Sequence, residues 1–218
     1  MKKRFFLLLF LLFTCSAWPL DVIVLGSDGE PLPGSILTFA GEAITAPAPP
    51  GTATVDQRNR RFVPHVSLVA RGASVSFPNS DDTRHHVYSF SEGNAFELKL
   101  YRSNDAPPIT FEAPGVVTLG CNIHDNMKAY IVVSDGRPSV AVDDDGRASM
   151  PWLSAGEVLS LEVWHPQLDE THAVEFAAQD TATGSVTLTL PVAWKDAQEV
   201  RSVSELESML KRYSRDGG

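Results

Sequence analysis

Apolar and polar residues alternate with a period of two along most of this chain, the pattern of strands with one buried face. The first such run is Asp21-Val22-Ile23-Val24-Leu25; after the turn Ser27-Asp28-Gly29 comes a second, Ser35-Ile36-Leu37-Thr38-Phe39. Ala46-Pro47-Ala48-Pro49-Pro50-Gly51 breaks the alternation. Proline fixes φ and removes ladder donors, so this stretch reads as an extended linker. Between residues 52 and 135 short runs recur: Val66-Ser67-Leu68-Val69-Ala70, Ala73-Ser74-Val75-Ser76-Phe77, His86-Val87-Tyr88-Ser89-Phe90, Phe96-Glu97-Leu98-Lys99-Leu100, Val116-Val117-Thr118-Leu119 and Ala129-Tyr130-Ile131-Val132-Val133. Gly72, Asn79, Gly93, Pro114-Gly115 and Asp135-Gly136 punctuate them, and so many short strands with such breaks predict an antiparallel sandwich.

A second β region follows, with Val140-Ala141-Val142, the turn Asp144-Asp145-Gly146, Val158-Leu159-Ser160-Leu161-Glu162-Val163-Trp164 and Gly184-Ser185-Val186-Thr187-Leu188-Thr189-Leu190. The tail changes period. Ser202 and Glu205 form a capping-box pattern, and Val203, Leu206, Leu210 and Tyr213 share a helical stripe, so a short amphipathic helix is expected there. At the other end, Lys2, Lys3 and Arg4 precede an apolar run from Phe5 to Phe13, followed by Cys15-Ser16-Ala17. Nine apolar residues are too few to span a bilayer, so a cleaved secretory signal is expected, with lipidation at Cys15 as the lesser alternative. The expected organisation is a signal peptide (1–17), an N-terminal β segment and Pro-rich linker (18–51), a first sandwich (52–135), a second, smaller β module (136–195) and a helical tail (196–218).

The 218 residues carry 18 Lys+Arg against 27 Asp+Glu, a formal charge of −9. Loss of Lys2, Lys3 and Arg4 with the signal leaves 15 basic residues and about −12. Such a chain is repelled by nucleic acid and by anionic membrane surfaces, and its charge is compatible with a basic protein partner or with simple solubility. Export also changes the cysteine reading, because removal of Cys15 leaves Cys121 alone in an oxidising compartment. A lone cysteine there is a buried small hydrophobe or is otherwise occupied.

Its neighbours point to the second case. In Cys121-Asn122-Ile123-His124-Asp125-Asn126-Met127 a thiolate, an imidazole and a thioether are spaced three residues apart. With one more histidine, these are the ligands of a mononuclear blue-copper centre, and a single thiolate argues against a Cys-rich structural zinc site. Val117, Leu119 and Cys121 share a strand face, Gly120 reduces crowding beside the ligand, and Asn122, Asp125 and Asn126 suit a tight turn. The missing imidazole is expected from Arg84-His85-His86-Val87, where adjacent strand residues face opposite sides and only one can reach the metal. His85 is the expected ligand and His86 the alternative. His65, His165 and His172 stand apart from other donors and read as structural or solvated, and Asp81-Asp82 and Asp143-Asp144-Asp145 read as solvated turns rather than calcium loops. No nucleophile elbow, phosphate loop or zinc-protease helix is present.

The loop resembles the Cys-x-x-His-x-x-Met pattern of the amicyanin branch of the cupredoxins. Phe77-Pro78-Asn79-Ser80-Asp81-Asp82-Thr83-Arg84-His85-His86-Val87 resembles the plastocyanin-type ligand strand, with His85 in the ligand position, and Phe62-Val63-Pro64 with Val69-x-x-Gly72 resembles the opening strands of such domains. The resemblance covers about residues 52 to 135. It implies an all-β Greek-key sandwich, one type 1 copper held by His85, Cys121, His124 and Met127, and a periplasmic electron carrier of the methylamine-utilisation type, not an enzyme, serving a cytochrome or dehydrogenase. A copper-delivery protein and a metal-free structural sandwich are the alternatives. Amicyanin-type loops place proline on both sides of the second histidine; here Ile123 and Asp125 stand there, which puts the potential outside the resemblance. Asp28-Gly29-Glu30-Pro31-Leu32-Pro33-Gly34 and residues 144–163 resemble a transthyretin-like, carboxypeptidase-regulatory-like sandwich, so the first sandwich is expected as an insert within a second. The alternative has residues 20–45 as an edge strand of the first.

Overall fold

The computed structural model describes residues 19–41, 46–103, 106–154 and 158–193. The leader with Cys15 and the capped stripe at 196–218 lie outside the described residues. What is described is all-β apart from one short helix. The strands before the proline stretch are β1 (Pro19–Leu25) and β2 (Ile36–Phe39). Next come β3 (Thr52–Thr54), β4 (Asp56–Arg58), β5 (Arg61–Val63), β6 (Val66–Val69) and β7 (Ala73–Ser76). They are followed by β8 (His85–Ser89), β9 (Phe96–Tyr101), β10 (Ile109–Phe111), β11 (Gly115–Gly120) and β12 (Lys128–Val133). The last part holds β13 (Ser139–Ala141), β14 (Arg147–Ser154), β15 (Leu159–Trp164), β16 (His172–Phe176), helix α1 (Ala178–Thr181) and β17 (Ser185–Thr189).

Two sandwiches result. In the first, a five-stranded sheet ordered β6-β12-β11-β8-β9 faces a three-stranded sheet ordered β10-β7-β3, with the hairpin β4–β5 beside them. Val69, Val75, Phe77, Val87, Phe111, Val117, Leu119, Cys121, Met127 and Ile131 fill the space between. In the second, sheets ordered β14-β1-β17 and β13-β2-β15-β16 enclose Leu20, Val22, Val24, Leu37, Val142, Met150, Leu161, Val163, Val186 and Leu188. β1 pairs with β14 and β17, and β2 with β13 and β15, so neither is an edge of the first sandwich. Thr38 and Ser139 are register partners although 101 residues apart. Everything between β2 and β13 is thus carried at the tip of a hairpin.

One expectation needs correction. Besides antiparallel ladders, the pairs β12–β6, β3–β7 and β1–β17 are parallel. Period-two alternation marks a buried face and carries no information on chain direction, and none of these pairs is joined by a tight turn. The two sandwiches meet where the Tyr130 and Trp164 rings pack edge-on at 5.5 Å. Beside them Arg137 bridges Asp135 and Glu162, each at 2.8 Å.

Candidate metal centre

The inner face of β8 follows from its alternation: His85 and Val87 are fully buried and Ser89 nearly so. A register shift against β9 falls between His85 and Val87. His86 leaves the cluster on the other side, where its Nε2 lies 2.9 Å from Glu97 Oε1 and its ring stacks near Tyr88. Tyr88 in turn explains Gly120, its register partner on β11. A Cβ there would lie 2.7 Å from the tyrosine ring, so glycine answers to the ring across the sheet.

β11 delivers Cys121 to the end of the core, and the chain folds back into β12 through a short loop. Cys121 N–H donates to the Met127 carbonyl at 3.3 Å, and Met127 N–H donates to the His124 carbonyl at 3.0 Å. This doubling back directs His124 at the sulfur. Cys121 Sγ lies 3.8 Å from His124 Nδ1 and 3.9 Å from His85 Nδ1. The two imidazole centroids are 4.9 Å apart, and the three donor atoms lie within 4.8 Å of one another. Met127 is 1% exposed and packs in the same apolar cluster as Cys121. Among the described residues no other histidine, cysteine and carboxylate set gathers in this way.

Whether the donors suit a metal can be judged from the spacing. Bonds of ~2.0 Å from nitrogen and ~2.3 Å from sulfur, arranged trigonally around one ion, separate N and S donors by roughly 3.7 Å. The observed N–S separations of 3.8 and 3.9 Å match that triangle, and the donors are the soft sulfur and imidazole that copper prefers. Burial lowers the His124 pKa, and the neighbouring His85 ring and Arg60 lower it further, with Asp81 partly offsetting them.

Asp81 is not the solvated turn residue expected of it. Its Oδ2 lies 2.7 Å from His85 Nε2, and it accepts the backbone N–H groups of Asn59 at 2.6 Å and Arg60 at 2.9 Å. Burial alone would raise its pKa, but the Arg60, His85 and Asn59 hydrogen bonds together hold it below the ordinary carboxylate value. The one sequence signal for this contact was the i, i+4 spacing of Asp81 and His85. Asp143 does form a plain turn, accepting from Asp145 and Arg147 N–H. His65 packs edge-on against Tyr130, and His165 is fully buried at the junction, its Nδ1 accepting from Gln167 N–H at 3.2 Å.

Two recesses flank the centre. One of about 490 Å³ is lined by Tyr88, Phe90, Gly120, Cys121, Asp125 and Lys128 among others; the smaller, about 300 Å³, by Arg60, His124, Asp125 and Asn126. Ile123 is 48% exposed and Phe90 86% exposed. Among the described residues no helix is long and apolar enough to cross a membrane.

No family model and no curated protein matches the chain. Solved structures similar to it include a Cu-containing nitrite reductase from Thermus scotoductus SA-01, 26% identical over 45% of this chain and 25% of that one, with a TM-score of 0.36. A mutant of amicyanin in its reduced Cu(I) form at pH 4 is 21% identical over 45% of this chain and 98% of that one, also at 0.36. A purple cupredoxin from Nitrosopumilus maritimus is 19% identical over 38% and 99%, with a TM-score of 0.34.

Proposed function

We propose that this chain is a cupredoxin-like, exported type 1 copper protein that carries single electrons between periplasmic redox proteins. The observation that carries the reading is the triangle of His85 Nδ1, Cys121 Sγ and His124 Nδ1, at the end of a sandwich core with the first two residues buried, and spaced for one ion. His85, Cys121 and His124 would be the strong donors and Met127 the weak fourth. Copper held there would supply a one-electron couple between Cu(II) and Cu(I), tuned by the weak thioether.

The chain's own residues do the rest. Cys121 would hold the metal as a thiolate. The sandwich holds the donors in one arrangement, which would favour exchange of one electron with little rearrangement. His85 is sealed from solvent, whereas His124 lines a surface recess and offers the edge through which an electron leaves. Exposed Ile123 beside it gives a partner, such as a cytochrome or dehydrogenase, an apolar contact. Asp125 adds negative charge at that edge. The same reading takes residues 1–17 as a removed signal, residues 52–135 as the copper unit, and the second sandwich as a transthyretin-like carrier into which that unit is inserted.

Adding Cu(II) to purified protein and recording its visible spectrum tests this. An intense thiolate-to-copper band with reversible voltammetry is expected. Colourless binding would replace the reading with copper delivery, and absence of binding with a structural sandwich.

A further inference from the structure

The segment leading to His85 is fastened to the end of β9 and to the β4–β5 hairpin by more bonds than a surface turn requires. Asn79 N–H donates to the Ser103 carbonyl, and its side-chain amide donates to the carbonyls of Thr83 and Tyr101, each at 3.0 Å. Ser80 is held by Asp56 through its N–H at 3.2 Å and its hydroxyl at 2.8 Å. Asp81, next in line, is held by the turn of the hairpin. Asn59 and Arg60 both have left-handed backbones, φ 54° and 57°. Their consecutive N–H groups converge on one side, as such turns do around an anion, and the anion is the Asp81 carboxylate.

That carboxylate has one further contact, His85 Nε2 at 2.7 Å. An ionised carboxylate only accepts hydrogen bonds, so the proton between the two sits on Nε2. A neutral imidazole with its proton on Nε2 has its lone pair on Nδ1, the atom that faces Cys121 Sγ. We propose that Asp81, clamped by the Asn59–Arg60 turn, is a positioning residue that fixes His85 in the Nε2–H tautomer and reserves Nδ1 for the metal. The metal half of this rests on the copper reading; the tautomer half stands on hydrogen-bond geometry alone. It gives the hairpin a role: it belongs to neither large sheet, yet its turn sets the orientation of a donor some 25 residues further along the chain.

Nitrogen-15 NMR of the metal-free protein at mildly alkaline pH reads the tautomer directly, alongside Cu(II) titration. In the wild type His85 should carry its proton on Nε2. Asp81→Ala should release it to a mixture of tautomers and weaken Cu(II) binding about 10- to 100-fold, the usual cost of losing a carboxylate behind a metal-bound histidine. Asp81→Asn, with one oxygen facing three donors, should weaken both readouts with less disturbance of volume. Asp82→Asn, which removes the same charge one residue along, should change neither. An Nδ1–H tautomer in the wild type would overturn the proposal without recourse to any variant, as would a folded Asp81→Ala protein with unchanged tautomer and affinity. If the wild type bound no copper, the electron-carrier reading would fall while the tautomer of the metal-free protein still decided the role of Asp81.

Discussion

The two sandwiches are built alike and packed differently. The second is filled mostly by aliphatic side chains from Leu20 to Leu188, with Phe39 and Met150 among them, and its fully buried imidazole, His165, lies at its margin against the first. The first brings a thiol, Cys121, to the end of its core beside Met127, then surrounds that end with buried Gln57, Asn79, His85 and Tyr101. There Gln57 donates to the Tyr101 hydroxyl at 2.5 Å, and that hydroxyl donates to the Phe77 carbonyl at 2.6 Å. Burial pushes the Tyr101 phenol up to about 12, which the Gln57 bond only partly offsets, so it remains a neutral link. Apolar packing is non-directional and fixes volume, whereas each buried polar atom demands one partner at one angle. The first sandwich therefore trades some tolerance for orientation, and the second supplies stability with few angular demands.

That contrast can be broken by mutation. The largest effect is expected from Cys121→Ser, which should abolish the visible copper band altogether while urea unfolding shows only the cost of one buried hydroxyl, about 1–3 kcal/mol. Leu161→Ala should do the reverse, costing about 2–5 kcal/mol by urea denaturation while the band persists. Acid should act next, through His165. Burial lowers its pKa from 6.5 to about 4, with nearby His65 adding to this and the Pro33 carbonyl partly offsetting it. The unfolded chain takes up that proton near pH 6.5 and the folded chain only near 4, so this stability is complete above the upper value and falls through the window. At ~1.4 kcal/mol per pH unit the loss is on the order of 3 kcal/mol, and His165→Gln should flatten the slope of urea midpoints against pH. The smallest effect belongs to Asp125→Asn, which should raise the reduction potential by tens of millivolts, as loss of one screened charge implies; an unchanged or lower voltammetric midpoint would refute it.

The strands and the donor loop were legible because both are local. Alternation marks β1, β2, β11 and β12 by itself, and Cys121, His124 and Met127 sit within seven residues. The structure turns the His85 ring toward Cys121 and the His86 ring toward Glu97, as a strand must send neighbours to opposite faces. The hidden parts depend on distant pairings. Asp81 looked like half of a solvated acidic pair because its partners Asn59 and Arg60 lie more than 20 residues earlier, on a turn whose left-handed backbone no apolar pattern announces. Gly120 sits beside the cysteine in sequence, but the ring it admits comes from Tyr88 on another strand. The parallel pairings escaped for the same reason.

The hairpin of β2 and β13 has a consequence for how the molecule comes apart. The Phe39 N–H bond to the Pro138 carbonyl, 2.8 Å, holds the chain ends flanking the first sandwich side by side. While that sandwich is folded, the second one experiences it as a short loop. Once it melts, the same ends are joined by about a hundred residues of coil, and the entropy of closing that larger ring weighs against the second sandwich by roughly 2–3 kcal/mol. Whatever steadies the first unit, a ligand at the Cys121 end included, is in this way felt by a core that has no part in that end.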